Sequence, residues 1–109
     1  MAGWKLVMDW HYTYLKEGTW EDDEKGVSEF ALVEGAEYGV PNIEHRKKME
    51  VLSFSEENGV AVAEVRIDYH TYRLRSDGGE VVGSCGYEYS VCGDHVTVTV
   101  AFQLRMLPM

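Results

Sequence analysis

The sequence is poor in the features that brace or anchor a small protein: its 109 residues include two cysteines, two prolines and no long apolar run. Apolar stretches are as short as residues 30–33, whereas a helix needs about 20 apolar residues to span a bilayer. The first residues, 1–5, lack the apolar core of a secretory signal. We therefore expect a cytoplasmic protein that does not contact a membrane.

The two cysteines are too far apart to form a disulfide. Cys85 and Cys92 lie on one predicted strand and its following turn, and extended chain would separate them by roughly 20 Å. No Cys-x-x-Cys pair is present, so the sequence lacks the usual thiolate signal for zinc. We expect two reduced thiols, no bound metal and no cofactor.

Basic residues are scarce, with ten Lys and Arg against nineteen Asp and Glu, which gives a net charge of −9. Nucleic-acid binding requires Lys and Arg to neutralise phosphates, so the composition argues against a nucleic-acid partner. An anionic membrane surface is disfavoured for the same reason. Between Glu17 and Glu37 there are eight acidic residues and a single basic one, Lys25.

The centre of this acidic region is a candidate partner-binding segment, formed by Glu21, Asp22, Asp23 and Glu24. Its charge would attract a basic protein surface. The alternative is a solvated connection that keeps the protein soluble.

Two stretches have the alternation of a half-buried strand. In residues 95–106 the apolar positions are Val96, Val98, Val100, Phe102, Leu104 and Met106. In residues 4–15 they are Trp4, Leu6, Met8, Trp10, Tyr12 and Tyr14. These two rows predict the main faces of the core.

Further strands are predicted over residues 43–57, 60–75 and 80–91. Asn58 and Gly59 form a strong hairpin signal, and a two-residue turn there sets Leu52 opposite Val65 and Phe54 opposite Ala63. Tight turns are also expected at residues 77–79 and 93–94. Residues 27–34 fit a strand or a short helix, and residues 21–26 are expected to form an acidic connection.

The predicted fold is all-β: a single domain over residues 1–109, with one antiparallel meander sheet of five or six strands. We expect this sheet to be strongly coiled or closed into a small barrel. The alternative is an α+β roll with one helix within residues 20–38.

The turn at residues 77–79 decides which residues line the interior. A three-residue loop with a bulged glycine places Val65, Ile67 and Tyr69 inside and the row of Arg66, Asp68 and His70 outside. A two-residue loop exchanges the two faces. The three-residue loop is favoured because burying unpaired charges costs several kcal/mol.

Two similar stretches supply candidate catalytic residues. Asp9 and His11 are two residues apart, as are Asp68 and His70, so each pair is expected to share one face of its strand. If the strands were neighbours, the four groups could provide an acid/base pair or hold a first-row metal. The favoured alternative is a solvent-facing row of charges that pair across strands.

Two classes of function remain. The first is a non-enzymatic, soluble binding protein that engages a protein partner through the acidic segment and an exposed strand edge, and that self-associates as a dimer. The second is a small-barrel enzyme or carrier of a hydrophobic or aromatic ligand. Its pocket would use Asp68 and His70 as polar groups and would be lined by Trp10, Tyr12, Tyr14, Tyr87 and Tyr89.

Overall fold

The computed structural model describes residues 3–17 and 20–109, and over these residues the protein is all-β. The predicted class and the antiparallel pairing are confirmed, whereas the alternative with a helix in residues 20–38 is wrong for the part described. The strands are β1 (Trp4–Lys16), β2 (Trp20–Ala31), β3 (Glu37–Gly39), β4 (Lys48–Glu57), β5 (Val60–Ile67), β6 (His70–Arg75), β7 (Val81–Val91) and β8 (Asp94–Pro108). No helix capable of crossing a membrane occurs among the described residues.

The strands form two sheets rather than the single meander or closed barrel that we expected. The long sheet has the order β2-β1-β8-β7, and the short sheet has the order β3-β4-β5-β6. All neighbours are antiparallel. The chain passes from one sheet to the other between β2 and β3 and again between β6 and β7, so it forms a sandwich of two hairpin-rich layers.

The core lies between the two sheets and uses the rows predicted for β1 and β8. Leu6 and Met8 of β1 are fully buried, and the six apolar positions of β8 are at most 7% exposed. The short sheet contributes Val51, Ala61, Ala63, Val65, Ile67 and Leu74. Burial of each Val, Leu, Ile, Phe or Met side chain contributes about 1.5–3 kcal/mol, so these facing rows hold the sheets together.

The β4–β5 hairpin turns at Asn58 and Gly59 as predicted, with φ values of 55° and 80°. Phe54 is paired with Ala63, which confirms that part of the predicted register. The other predicted pair is wrong, because a bulge between Val51 and Ser53 makes Leu52 an extra residue. Val51 therefore lies opposite Val65.

Residues 60–75 form two strands instead of the one that we predicted. The chain reverses at Asp68 and Tyr69, and Ile67 pairs with His70. Asp68 adopts a φ of 60°, the left-handed conformation that Asp tolerates better than most residues. Asp68 and His70 consequently do not share a strand face, and Tyr69 projects into solvent with 88% exposure.

Residues 77–79 do not form the predicted hairpin turn. They belong to the connection between β6 of the short sheet and β7 of the long sheet, which are not paired with each other. Neither of the two predicted loop registers therefore describes this connection. Arg66 nevertheless lies on the solvent side, where it bonds to Glu50 at 2.8 Å.

The candidate partner-binding segment, from Glu21 to Glu24, is part of a strand rather than the expected connection. β2 pairs with β1 along its whole length, from Lys16 opposite Trp20 to Lys5 opposite Ala31. The long, β-prone β1 provides a template that the charges of β2 do not disrupt, because acids at an exposed strand remain hydrated. The strand predicted from residue 43 begins at Lys48, since residues 41–46 form turns that bury Ile43.

The long sheet makes the molecule elongated, with principal extents of 55 × 21 × 18 Å. Its four strands have 11 to 15 residues, whereas those of the short sheet have three to ten. We call the end of the long sheet with Lys16, Tyr89 and Val96 the far end. At the far end, tyrosine side chains cover the inward face of the long sheet.

Candidate functional site

β2 is an open edge of the long sheet. Of the strands in residues 3–17 and 20–109, β1 alone pairs with it, so one row of its backbone N–H and C=O groups faces away from the sheet. Between Glu21 and Phe30, no backbone group of another described segment bonds to that outward row. The four consecutive acids of the candidate partner-binding segment lie on this open edge.

The charges of these acids are only partly balanced within the described residues. Asp23 Oδ2 lies 3.6 Å from Nε2 of His11, and the Glu24 carboxylate accepts a hydrogen bond of 2.7 Å from Asn42 Nδ2. No cation of the described part of the chain pairs with Glu21 or Asp22. The edge therefore presents negative charge beside unpaired backbone groups.

Strand alternation divides the four acids between the two faces of the long sheet. Asp22 lies opposite Tyr14 and Glu24 opposite Tyr12, so these two acids flank the inward face. Glu21 and Asp23 flank the outward face, opposite Leu15 and Thr13. The inward pair of acids adjoins tyrosine side chains, whereas Asp23 of the outward pair lies beside the imidazole of His11.

A layer of four tyrosines covers the inward face at the far end, and we call it the tyrosine layer: Tyr12 and Tyr14 of β1 with Tyr87 and Tyr89 of β7. Between them runs β8, whose Val96 and Val98 are 0% and 1% exposed. The tyrosines themselves are half-buried. Their rings thus shield the valines, while part of each ring remains accessible to solvent.

Contacts within the tyrosine layer hold it together across β8. The rings of Tyr87 and Tyr89 stack with their centroids 5.8 Å apart. A hydrogen bond between the side chains of Tyr89 and Tyr14, together with burial, raises the pKa of Tyr89 above its usual value. Burial also raises the pKa of Tyr12, with smaller contributions from Tyr87, Asp22, Tyr89 and Glu24.

A guanidinium already lies on this layer. Arg46 belongs to the turns between β3 and β4, and its Cζ atom is 4.8 Å from the centroid of the Tyr87 ring. This is the geometry of a cation–π contact. The turns between β3 and β4 therefore reach the tyrosine layer through Arg46, a contact for which the sequence offers no signal.

Trp10, the fifth candidate for ligand binding, is engaged elsewhere. Its indole lies across Gly26 of β2, where a Cβ atom would collide with the ring, and its Nε1 donates to Ser28 Oγ at 3.0 Å. The structure thus brings the four tyrosines together and places Trp10 against Gly26 and Ser28 of β2.

The four candidate catalytic residues lie in separate pairs. On the outward face of the long sheet, Asp9 accepts a hydrogen bond of 3.0 Å from Arg105, and His11 lies beside Asp23. In the short sheet, Asp68 accepts one of 3.1 Å from Lys47, and His70 is exposed. The described residues contain no group of three or more His, Cys, Asp or Glu side chains that could hold a metal.

A shallow depression of about 500 Å³ lies on the outward face around Ala101, between Asp9, His11, Lys25 and Gln103. Within the described residues, the Nε2 atom of His11 is buried there without a hydrogen bond. The sequence pointed to Asp9 and His11 but not to this depression, which depends on small side chains of β8 and β7.

Comparisons of the chain with protein-family models, with curated proteins and with solved structures found no match. The surface that combines the most features is the far end of β2. It joins an open backbone edge, unbalanced negative charge and a row of accessible aromatic rings.

Proposed function

We propose that this protein is a non-enzymatic binding protein that accepts a basic, extended segment of a partner protein as an added strand along β2. The observation that supports it is the coincidence of four consecutive acids with an open strand edge. Strand addition needs unpaired backbone groups in a row, and β2 provides them.

The charges of the edge would determine which partners bind. The β2 edges of two copies of this protein would repel one another, because β2 carries five acids and one Lys in twelve residues. A partner strand with Lys or Arg brings its charges within about 5 Å of these acids, the usual distance between cross-strand Cβ atoms. Electrostatic attraction would also speed association at low ionic strength.

Neutralising the acidic edge should weaken binding of a basic peptide. The probe is a fluorescein-labelled octapeptide that alternates arginine and threonine, and binding is measured by anisotropy at low and high salt. We expect the variant Glu21→Gln, Asp22→Asn, Asp23→Asn, Glu24→Gln to bind about tenfold more weakly, with a smaller salt dependence, because surface charge pairs each contribute about 0.2–1 kcal/mol.

Two controls separate strand addition from general attraction to an acidic protein. The variant Glu34→Gln, Glu37→Gln, Glu57→Gln, Glu80→Gln removes the same charge from exposed positions elsewhere and should bind like the wild type. The same peptide with every backbone amide N-methylated has no N–H donor on either edge, so it cannot pair as a strand and should bind poorly. Equal weakening by both variants, or undiminished binding of the methylated peptide, would contradict the proposal.

We also propose that the protein self-associates through the other edge of the long sheet. β7 has one charged residue, Glu88, in eleven, so two copies can approach edge to edge without the repulsion that β2 would create. From Gly86 to Val91, no backbone group of another described segment bonds to its outward row. A pair of β7 strands would join two long sheets into one.

A lysine on the β7 edge should disrupt this dimer. We expect the wild type to be dimeric in sedimentation equilibrium and Ser90→Lys to raise the dimer dissociation constant about tenfold, because two like charges would meet across the pair. Ser55→Lys, at an exposed serine of the short sheet, is the matched control. A monomeric wild type, or an equal effect of the control, would rule out the β7 interface.

A further inference from the structure

We infer that the tyrosine layer makes the β2 edge selective for arginine over lysine in the bound segment. This inference rests on the proposed function, because the layer adjoins the edge along which the partner strand would lie. The partner would be an extended segment with arginine at alternate positions, and these arginine side chains would point toward the inward face of the long sheet.

The geometry follows from the strand order. A strand added to β2 would lie about 4.8 Å from it, with alternate side chains on the inward face beside Asp22 and Glu24. The next strand beyond β2 is β1, which carries Tyr14 opposite Asp22 and Tyr12 opposite Glu24. A long side chain from the added strand can therefore pass a carboxylate and reach a tyrosine ring.

The guanidinium group matches this combination better than an ammonium group. It is planar and weakly hydrated, it stacks on aromatic faces, and it pairs with a carboxylate through two parallel hydrogen bonds. The protein itself provides an example, since Arg46 lies 4.8 Å above the ring of Tyr87 on the same layer. An ammonium group would gain the charge attraction but not the planar stacking.

The opposite face of the edge offers no such selectivity. Glu21 and Asp23 lie opposite Leu15 and Thr13, so a basic side chain there meets a carboxylate without a tyrosine ring behind it. The ring nearest to Asp23 is the imidazole of His11, which itself pairs with that carboxylate and offers no stacking layer. Lysine and arginine should be nearly equivalent at those positions. Along the bound segment, we therefore expect the residues that face inward to require arginine, and the residues that face outward to require only a positive charge.

The test compares two octapeptides that alternate threonine with either arginine or lysine, so that each can place all its basic side chains on one face. We expect the wild type to bind the arginine peptide about tenfold more tightly. Tyr12→Leu and Tyr14→Leu should each reduce this preference to about twofold, and Tyr69→Leu, at an exposed turn tyrosine, should preserve it. Thermal unfolding of each variant establishes that it is folded.

A second pair of variants tests the preference for arginine over lysine without altering the tyrosine layer. Asp22→Asn should weaken the arginine peptide more than the lysine peptide, whereas Asp23→Asn should leave the ratio of the two affinities unchanged. Equal affinity of the wild type for both peptides would overturn the arginine selectivity and leave strand addition standing. Failure of both peptides to bind would overturn the proposed function as well.

Discussion

Replacing Gly86 with alanine should destabilise the protein by about 3 kcal/mol, at the upper end of the usual cost of overpacking. A Cβ atom at this position in β7 would run into the carbonyl oxygen of Val98 and would lie 3.1 Å from Cα of Thr99. Both obstacles are backbone atoms of β8, the central partner of β7. The strands could separate only by weakening the hydrogen bonds between them, so the clash cannot be relieved by a side-chain rotation.

Chemical denaturation of Gly86→Ala and Gly79→Ala would measure the effect. A Cβ atom on Gly79 would have no heavy atom within 4 Å outside its chain neighbours, and the φ of Gly79 is not left-handed. Its replacement by alanine should therefore change stability by about 0.5 kcal/mol or slightly stabilise the fold. Similar stabilities for the two variants would show that β7 can shift away from β8. The β7 edge proposed for self-association would then be less rigid than the structure indicates.

The sequence predicts the strands that have strict alternation over many residues. β1 and β8 carry six large apolar side chains each in phase, and both lie where the pattern places them. They also pair directly with each other, which the pattern does not reveal. Alternation identifies the buried face of a strand but contains no information about which strand is its neighbour.

The reversal at Asp68 and Tyr69 was missed because the turn has neither glycine nor proline. A signal is nevertheless present: the buried positions change from odd numbers in β5, ending at Ile67, to an even one in β6, at Leu74. A continuous strand cannot change parity in this way without a bulge or a turn. This extra hairpin adds β6 to the short sheet, and the chain changes sheet at the connections from β2 to β3 and from β6 to β7.

The sequence predicts which residues belong to the candidate site but not how they are arranged in space. Alternation alone places Tyr12 with Tyr14 and Tyr87 with Tyr89, and the same residues serve a cavity lining or an external layer equally well. Their arrangement depends on the greater length of the long sheet and on the approach of Arg46, both of which are tertiary features. Likewise, hydropathy suggests a loop for Glu21–Glu24, whereas pairing with β1 makes it an edge strand.

Raising the pH should weaken the fold through Cys85, which lies in the core and is 8% exposed. Burial, with a smaller contribution from the charge of Asp68, raises the pKa of its thiol from 9.0 to about 11. The folded protein therefore retains this proton after the unfolded chain has released it, and stability falls as the pH rises through this interval. At 1.36 kcal/mol per pKa unit, the loss on passing from about pH 8 to above pH 11 is about 3 kcal/mol.

Urea unfolding across this pH range would test the assignment, because Cys85→Ala removes the titrating thiol from the core. The variant should start less stable than the wild type and lose about 3 kcal/mol less on going to alkaline pH, so the two stability curves converge. Tyr12 and Tyr89, whose pKa values are also raised, contribute equally to both curves and cancel in the difference. Burial and the charge of Cys85 raise the pKa of Tyr72, so the part that depends on Cys85 is lost together with the thiol and belongs to the Cys85 effect. Cys92→Ala, at an exposed thiol, should follow the wild type, and parallel curves for Cys85→Ala would show that the buried thiol does not control alkaline stability.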